Sequence, residues 1–160
     1  MNKLVLATLL SMTMGCAVSN TPAPFNIEEI SSFNEPWAMT FLPNGDILIT
    51  EKSGNLILTD QSGSKDIEVK GLPDVAYGGQ GGLGDIIIHP DFEENNMVYL
   101  SFAEEGDKDT RGAVVIKAKL NIKSDGASLS DIKYIWRQMP KVTGKGHYAH
   151  RMRFSPDGYL

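Results

Sequence analysis

Cys16 is the only cysteine in the chain, so no internal disulfide is available to hold the fold. Positive charge is also scarce: 15 Lys and Arg against 20 Asp and Glu leave a net charge of -5, with the two signs mixed along the chain. No basic stripe or patch of the kind a nucleic acid requires is present, which excludes that partner class. Long hydrophobic runs are missing as well. The leading apolar stretch, Leu4 to Met14, has 11 residues without charge, whereas a membrane-spanning helix takes roughly 20. Finally, no segment keeps apolar residues at helical spacing for more than two turns, so little helix is expected.

The chain is rich in turn formers, with 16 Gly and 8 Pro in 160 residues of otherwise ordinary globular composition. Its first residues read as an address. Lys3 and the short uncharged stretch fit a signal peptide over residues 1–15. The stretch ends Thr13-Met-Gly-Cys16, and a small residue directly before cysteine resembles the lipobox of bacterial lipoproteins. Cys16 is therefore expected to be the lipid acceptor, and the protein to be exported to the periplasm or outer membrane, touching a membrane only through that anchor. Simple cleavage near Cys16 is the alternative. Residues 16–26, polar and proline-containing, read as a tether. Loss of residues 1–15 would remove Lys3 and no acid, leaving a charge of -6.

From about Ile27 the pattern becomes short Ile-, Leu- and Thr-rich runs divided by Pro-Asn-Gly and Lys-Ser-Gly. Trp37–Phe41, Asp46–Thr50 and Asn55–Thr59 predict an antiparallel meander of three strands. The pattern recurs. Phe41-Leu-Pro-Asn-Gly45 is echoed by Phe154-Ser-Pro-Asp-Gly158, and more loosely by Ile88-His-Pro-Asp-Phe92. The prolines of these copies stand at 43, 90 and 156, spaced 47 and 66 residues, and intervals of about 45 residues with four short strands each mark propeller blades. The longer interval is expected to absorb Glu104–Gly112 as a surface loop. Runs 97–102, 113–120 and 132–136 would complete a second blade, with a turn from Lys123 to Ser128. The fold class predicted over residues 27–160 is all-β, with two to two and a half blades of a propeller, a β-sandwich being the alternative. Two blades cannot close a ring, so a longer parent protein is expected.

Two segments carry candidate chemistry. Gly78-Gly-Gln-Gly-Gly-Leu-Gly-Asp85 holds five glycines in seven residues around one polar side chain, Gln80. It lacks the Lys-Ser/Thr and the following helix of a phosphate-binding loop, and it reads either as a tight inter-strand turn or as a place of close backbone approach. Thr143-Gly-Lys-Gly-His147-Tyr-Ala-His150-Arg151 sets His147 after flexible glycines, where an imidazole can work as a general base or simply be solvated. His147 and His150 stand three apart on an extended segment and so face opposite sides, which argues against a metal pair. His89 is expected to be structural.

Together these segments resemble the glucose/sorbosone dehydrogenase family of quinoproteins. The matching residues are Pro36-Trp-Ala-Met39, Phe41–Asp46, Gly79-Gln-Gly-Gly-Leu83, His89-Pro-Asp-Phe92 with Val98–Ser101, and His147-Tyr-Ala-His-Arg151. The resemblance implies a six-bladed β-propeller that oxidises an aldose sugar at the anomeric carbon, passing hydride to pyrroloquinoline quinone (PQQ) near calcium. It makes His147 the catalytic base and Gln80 the substrate-binding residue. It names no natural electron acceptor. The family's PQQ and calcium ligands fall beyond residue 160, so none is assigned here, and the chain alone is expected to be inactive. Gly146 stands where the soluble glucose dehydrogenase branch carries an acid, and His150 where many relatives carry a small residue. A non-enzymatic envelope propeller and a lactonase-type propeller hydrolase are the readings from other classes, and the acidic and Asn ligand set of the latter is not seen.

Overall fold

The computed structural model describes residues 24–160. The signal segment, Cys16 and the tether up to residue 23 lie outside the described residues. Two antiparallel meanders follow one another. The first is β1 (Pro36–Phe41), β2 (Ile47–Glu51), β3 (Asn55–Thr59) and β4 (Asp66–Lys70). The second is β5 (Leu83–Ile88), β6 (Met97–Glu105), β7 (Thr110–Lys123) and β8 (Gly126–Arg137). Their last strands meet in a two-residue parallel bridge, Val69 with Ala127 and Lys70 with Ser128. A two-residue strand, β9 (Val142–Thr143), pairs back onto β7. The one α-helix among the described residues is the single turn α1 (Phe92–Asn95). The all-β, propeller-type class expected from the sequence is what the chain forms.

The repeated Pro motif is a repeated turn. In the first copy Gly45 N donates to Leu42 O at 2.9 Å and Leu42 N to Asp46 O at 2.8 Å. In the last copy Gly158 N donates to Ser155 O at 3.0 Å and Ser155 N to Tyr159 O at 2.8 Å. Both glycines sit at φ 87°, a conformation that a β-carbon disfavours. The middle copy closes the same way, Phe92 N to His89 O at 3.0 Å, but Phe92 replaces the glycine and the chain enters α1.

Several boundaries differ from expectation. The first meander has four strands, because Asp66–Lys70 pairs with β3 despite two acids and a terminal lysine. Val69, its one fully buried residue, faces the core. Glu104–Gly112 is partly ladder rather than all loop: Glu104 and Glu105 pair with Gly112 and Arg111, leaving five residues between them. Charge did not prevent pairing there, because Arg137 and Lys141 meet Glu104 at 3.1 and 2.7 Å. The β7–β8 turn shrinks to Ser124 and Asp125. Residues 152–154 form no strand.

One core joins both meanders. Leu48, Leu56 and Leu58 from the first pack in a single cluster with Leu83, Ile86, Val98, Leu100, Phe102, Val114 and Ile116 from the second. Burying each such side chain contributes about 1.5–3 kcal/mol. Leu83 and Ile86 both enter this core although three positions apart on one strand, which regular alternation forbids. A bulge resolves the conflict: Leu83 pairs with Phe102 and Ile86 with Leu100, so Gly84 and Asp85 fall outside the ladder. Their backbone groups find side chains instead. Thr50 Oγ1 donates to Gly84 O at 2.7 Å, and Asp85 N donates to Ser101 Oγ at 3.1 Å.

Thr50 is 0% exposed and also accepts from Ala38 N at 3.0 Å, so one hydroxyl ties β1, β2 and the β5 bulge together. Thr50→Val keeps the shape and leaves a buried donor and acceptor unpaired, a loss of about 1–3 kcal/mol. Urea unfolding should show that loss, whereas Thr40→Val on the neighbouring strand should stay within about 0.5 kcal/mol.

Candidate functional site

The glycine run explains itself once the segment 145–151 is seen lying on it. A β-carbon at Gly79 would strike the backbone and side chain of Lys145, and one at Gly81 would come within 2.6 Å of the Tyr148 ring. One at Gly84 would overlap the His150 ring, and one at Gly82 the carbonyl of Lys52. Close approach, rather than turning alone, is what these positions require. The contact is also hydrogen-bonded, Gln80 N donating to Lys145 O at 3.0 Å. The two segments singled out in the sequence are therefore brought to one place, with Gln80 and His147 both exposed there. His147 Nδ1 accepts from Ala149 N at 2.9 Å.

Behind this exposed pair lies a buried polar support. Asp85, 1% exposed, accepts from Arg151 Nη1 at 3.0 Å and from Met152 N at 2.8 Å. Ser101 Oγ donates to His150 O at 2.8 Å. Arg151, whose side chain is 61% exposed, also lies over the Trp37 ring, with Cζ 5.4 Å from its centroid. The residues missed by sequence reasoning are these: Asp85, Ser101, Arg151 and Trp37. A signal for Asp85 did exist, since two core residues three apart with glycine between them announce a bulge. Its partners lie 66 and 67 positions away, and no local pattern announces them.

His150 is the unusual member. It is 7% exposed, packs edge-on to Trp37 at 5.4 Å between ring centroids, and has no hydrogen-bond partner on either ring nitrogen. Burial first, and then the nearby His147, push its pKa down to about 4, against a smaller opposing pull from Asp85. The ring is thus an uncharged wedge at neutral pH. Among the described residues no three His, Cys, Asp or Glu side chains gather to hold a metal ion. His89 serves the turn: its Nδ1 accepts from Asp91 N at 3.0 Å, and its ring stacks on Tyr99.

The lowered pKa of His150 has a definite sign in stability. Between pH 6.5 and about 4 the unfolded chain binds a proton at this ring that the folded chain refuses. Stability from this group is therefore whole above pH 6.5 and falls as pH drops, by up to on the order of 3 kcal/mol at pH 4. In His150→Asn, a residue that tolerates positive φ, that part of the slope should vanish. Paired denaturant titrations at pH 7 and pH 4.5 measure it, and an unchanged slope contradicts the assignment.

Comparison with known proteins identifies the family. The sequence model of the Glucose / Sorbosone dehydrogenase family matches residues 33–160. Aldose sugar dehydrogenase YliI of Escherichia coli K12 is 34% identical over 149 residues, covering 92% of this chain and 40% of that protein. The crystal structure of the soluble aldose sugar dehydrogenase from Escherichia coli in its apo-form superposes with a TM-score of 0.69 at 36% identity, over 76% of this chain and 35% of that one. The PQQ-bound aldose sugar dehydrogenase from Streptomyces coelicolor gives a TM-score of 0.67 at 27% identity, over 79% and 36%. The chain thus spans well under half the length of each of these relatives. Motif order, two-blade fold and match along residues 33–160 point the same way, and this chain belongs to the glucose/sorbosone dehydrogenase family.

Proposed function

We propose that this chain supplies the sugar-facing proton site of a PQQ-dependent aldose dehydrogenase, with His147 as the general base and Gln80 as a sugar contact. The observation that carries the reading is the bond from Gln80 N to Lys145 O, which joins the segment of the exposed Gln80 to that of the exposed His147. The PQQ-bound relative supports the choice of cofactor, and the curated relative supports an aldose as substrate.

PQQ, when bound, supplies a two-electron acceptor for the hydride of the anomeric carbon. This reading assigns none of the described residues to that group or to a calcium ion. No metal-ligating cluster forms among them, and two cations beside the site are already paired, Lys52 with Glu35 and Arg151 with Asp85. The chemistry assigned to this chain is therefore confined to the sugar. The anomeric hydroxyl loses its proton to the imidazole as the C–H bond breaks, and a lactone is left. An imidazole suits the task because it both takes up and releases a proton near neutral pH. Ala149 N occupies Nδ1, so the neutral ring carries its hydrogen on Nε2 and its one lone pair is already engaged. Accepting a sugar proton then begins with release of the Ala149 amide. Gln80, with a donor and an acceptor on one short side chain, suits a sugar hydroxyl that must keep a fixed orientation.

A chimera tests this reading. Residues 33–160 replace the matching stretch of the Escherichia coli relative, and the protein is reconstituted with PQQ and calcium. Sugar-dependent dye reduction is expected, with His147→Ala lowering kcat by about 10²–10⁴-fold and Gln80→Ala acting mainly on KM. Full kcat in the His147→Ala chimera overturns the base assignment.

Export and lipidation at Cys16 complete the proposal: the first residues carry the protein to the cell envelope, and the acylated cysteine holds it there. Cys16→Ser should move the protein from the detergent-extracted membrane fraction to the soluble one. Unchanged fractionation removes the anchor from the account.

A further inference from the structure

We infer that Asp85 is a positioning residue for His147, acting through Arg151, the Met152 amide and the arch of chain between them. The inference rests on the reading of His147 as the base, but its structural part stands on contacts alone.

The arch runs from Lys145 to Met152 and is pinned at both ends. Gln80 N holds Lys145 O at 3.0 Å. At the other end Ser101 Oγ holds His150 O at 2.8 Å, and the two carboxylate oxygens of Asp85 hold Arg151 Nη1 and Met152 N. Between the pins the chain takes a shape that it would not keep unaided. Ala149 and His150 sit consecutively at φ 62° and 60°, the left-handed region that costs a residue with a β-carbon roughly 1–2 kcal/mol. Two tight amide bonds accompany it, His150 N to Tyr148 O at 2.7 Å and Arg151 N to Ala149 O at 2.8 Å. Such backbone persists only where its surroundings over-determine it.

The direction of the Ala149 N–H follows from that backbone, and this N–H is what His147 Nδ1 accepts at 2.9 Å. A line of cause therefore runs from a buried carboxylate, through Arg151 and Met152, to the orientation and proton placement of an exposed ring four and five residues before them. Asp85 suits the part because the cost of burying a carboxylate without its partners is several kcal/mol, so its demand for Arg151 and Met152 N is insistent. Gly84 before it leaves room for the His150 ring, which closes the underside of the arch. The charged and titratable groups around the arch are Asp85, Arg151, His150, Tyr148 and Lys145. Of these only Asp85 binds the arch through two atoms of one side chain.

The test uses the chain itself and needs no cofactor. The Ala149 amide resonance is followed by NMR while the His147 ring is titrated, and its solvent exchange is measured at pH 8. In the parent chain the amide should shift in step with the ring, because a protonated Nδ1 no longer accepts, and it should exchange at least 10-fold slower than an unstructured amide. Arg151→Gln, altered at a mostly exposed side chain, is expected to fold, and in it the coupled shift should disappear and exchange rise at least 10-fold. Asp85→Asn should do the same if folded. The Leu56 and Leu58 amides in β3 should keep their chemical shifts in both, which shows that the fold is retained and the effect is local. An Ala149 amide that still follows His147 in folded Arg151→Gln overturns the inference. Failure of the base assignment is a different result: the coupled shift responds as expected, while the His147→Ala chimera keeps its turnover.

Discussion

A carboxylate taken almost completely out of water sits at the centre of this structure. Asp85 reaches the interior because the β5 bulge turns it away from the ladder, and it is compatible with that interior only because Arg151 Nη1 and Met152 N meet its two oxygens. Breaking such a pair from one side leaves an uncompensated buried charge, a loss of several kcal/mol. The segment carrying His147 is thus attached to the second blade by a demand that hydrophobic packing alone would not make. The same bulge exposes the Gly84 carbonyl to Thr50 and so ties the first blade to the same spot.

Around that centre the glycines perform a steric task. Each of Gly79, Gly81 and Gly84 faces a part of the arch, and a single β-carbon would push the arch outward. What the chain gains is an exposed imidazole on a backbone held from two sides. What it gives up is local comfort: two consecutive residues in a disfavoured conformation, and a buried imidazole at His150 with neither nitrogen satisfied. Strain and unpaired polar groups gathered beside one exposed histidine are the pattern of a site whose geometry matters more than its local stability.

Much of the fold was legible in the residues. Alternation and turn chemistry announced strands at Trp37–Phe41, Asn55–Thr59 and 97–102, and the Pro-Asn-Gly echo announced a repeated turn that the hydrogen bonds reproduce. Reading failed where charge was taken as a sign of loop at Glu104–Gly112, and it assigned no strand to Asp66–Lys70. Asp66–Lys70 and Glu104–Glu105 are strands because ladder partners and ion pairs outweigh their polarity. The candidate site was half visible. Gln80 and His147 emerged through motif resemblance, whereas Asp85 was passed over as the end of a glycine run.

By itself the sequence determined the all-β class, the two-blade periodicity, the turn geometry at Gly45 and Gly158, and the residue types that can move a proton. These are local properties, set by side-chain alternation and by which residues tolerate positive φ. Only the tertiary structure decided that the glycine run is a seat for the His147 arch, that Asp85 is its clamp, and that His150 is a neutral wedge beneath it. Each of those depends on atoms brought together from positions up to 67 residues apart. A contact across that distance leaves no period or spacing in the chain for a reader to find.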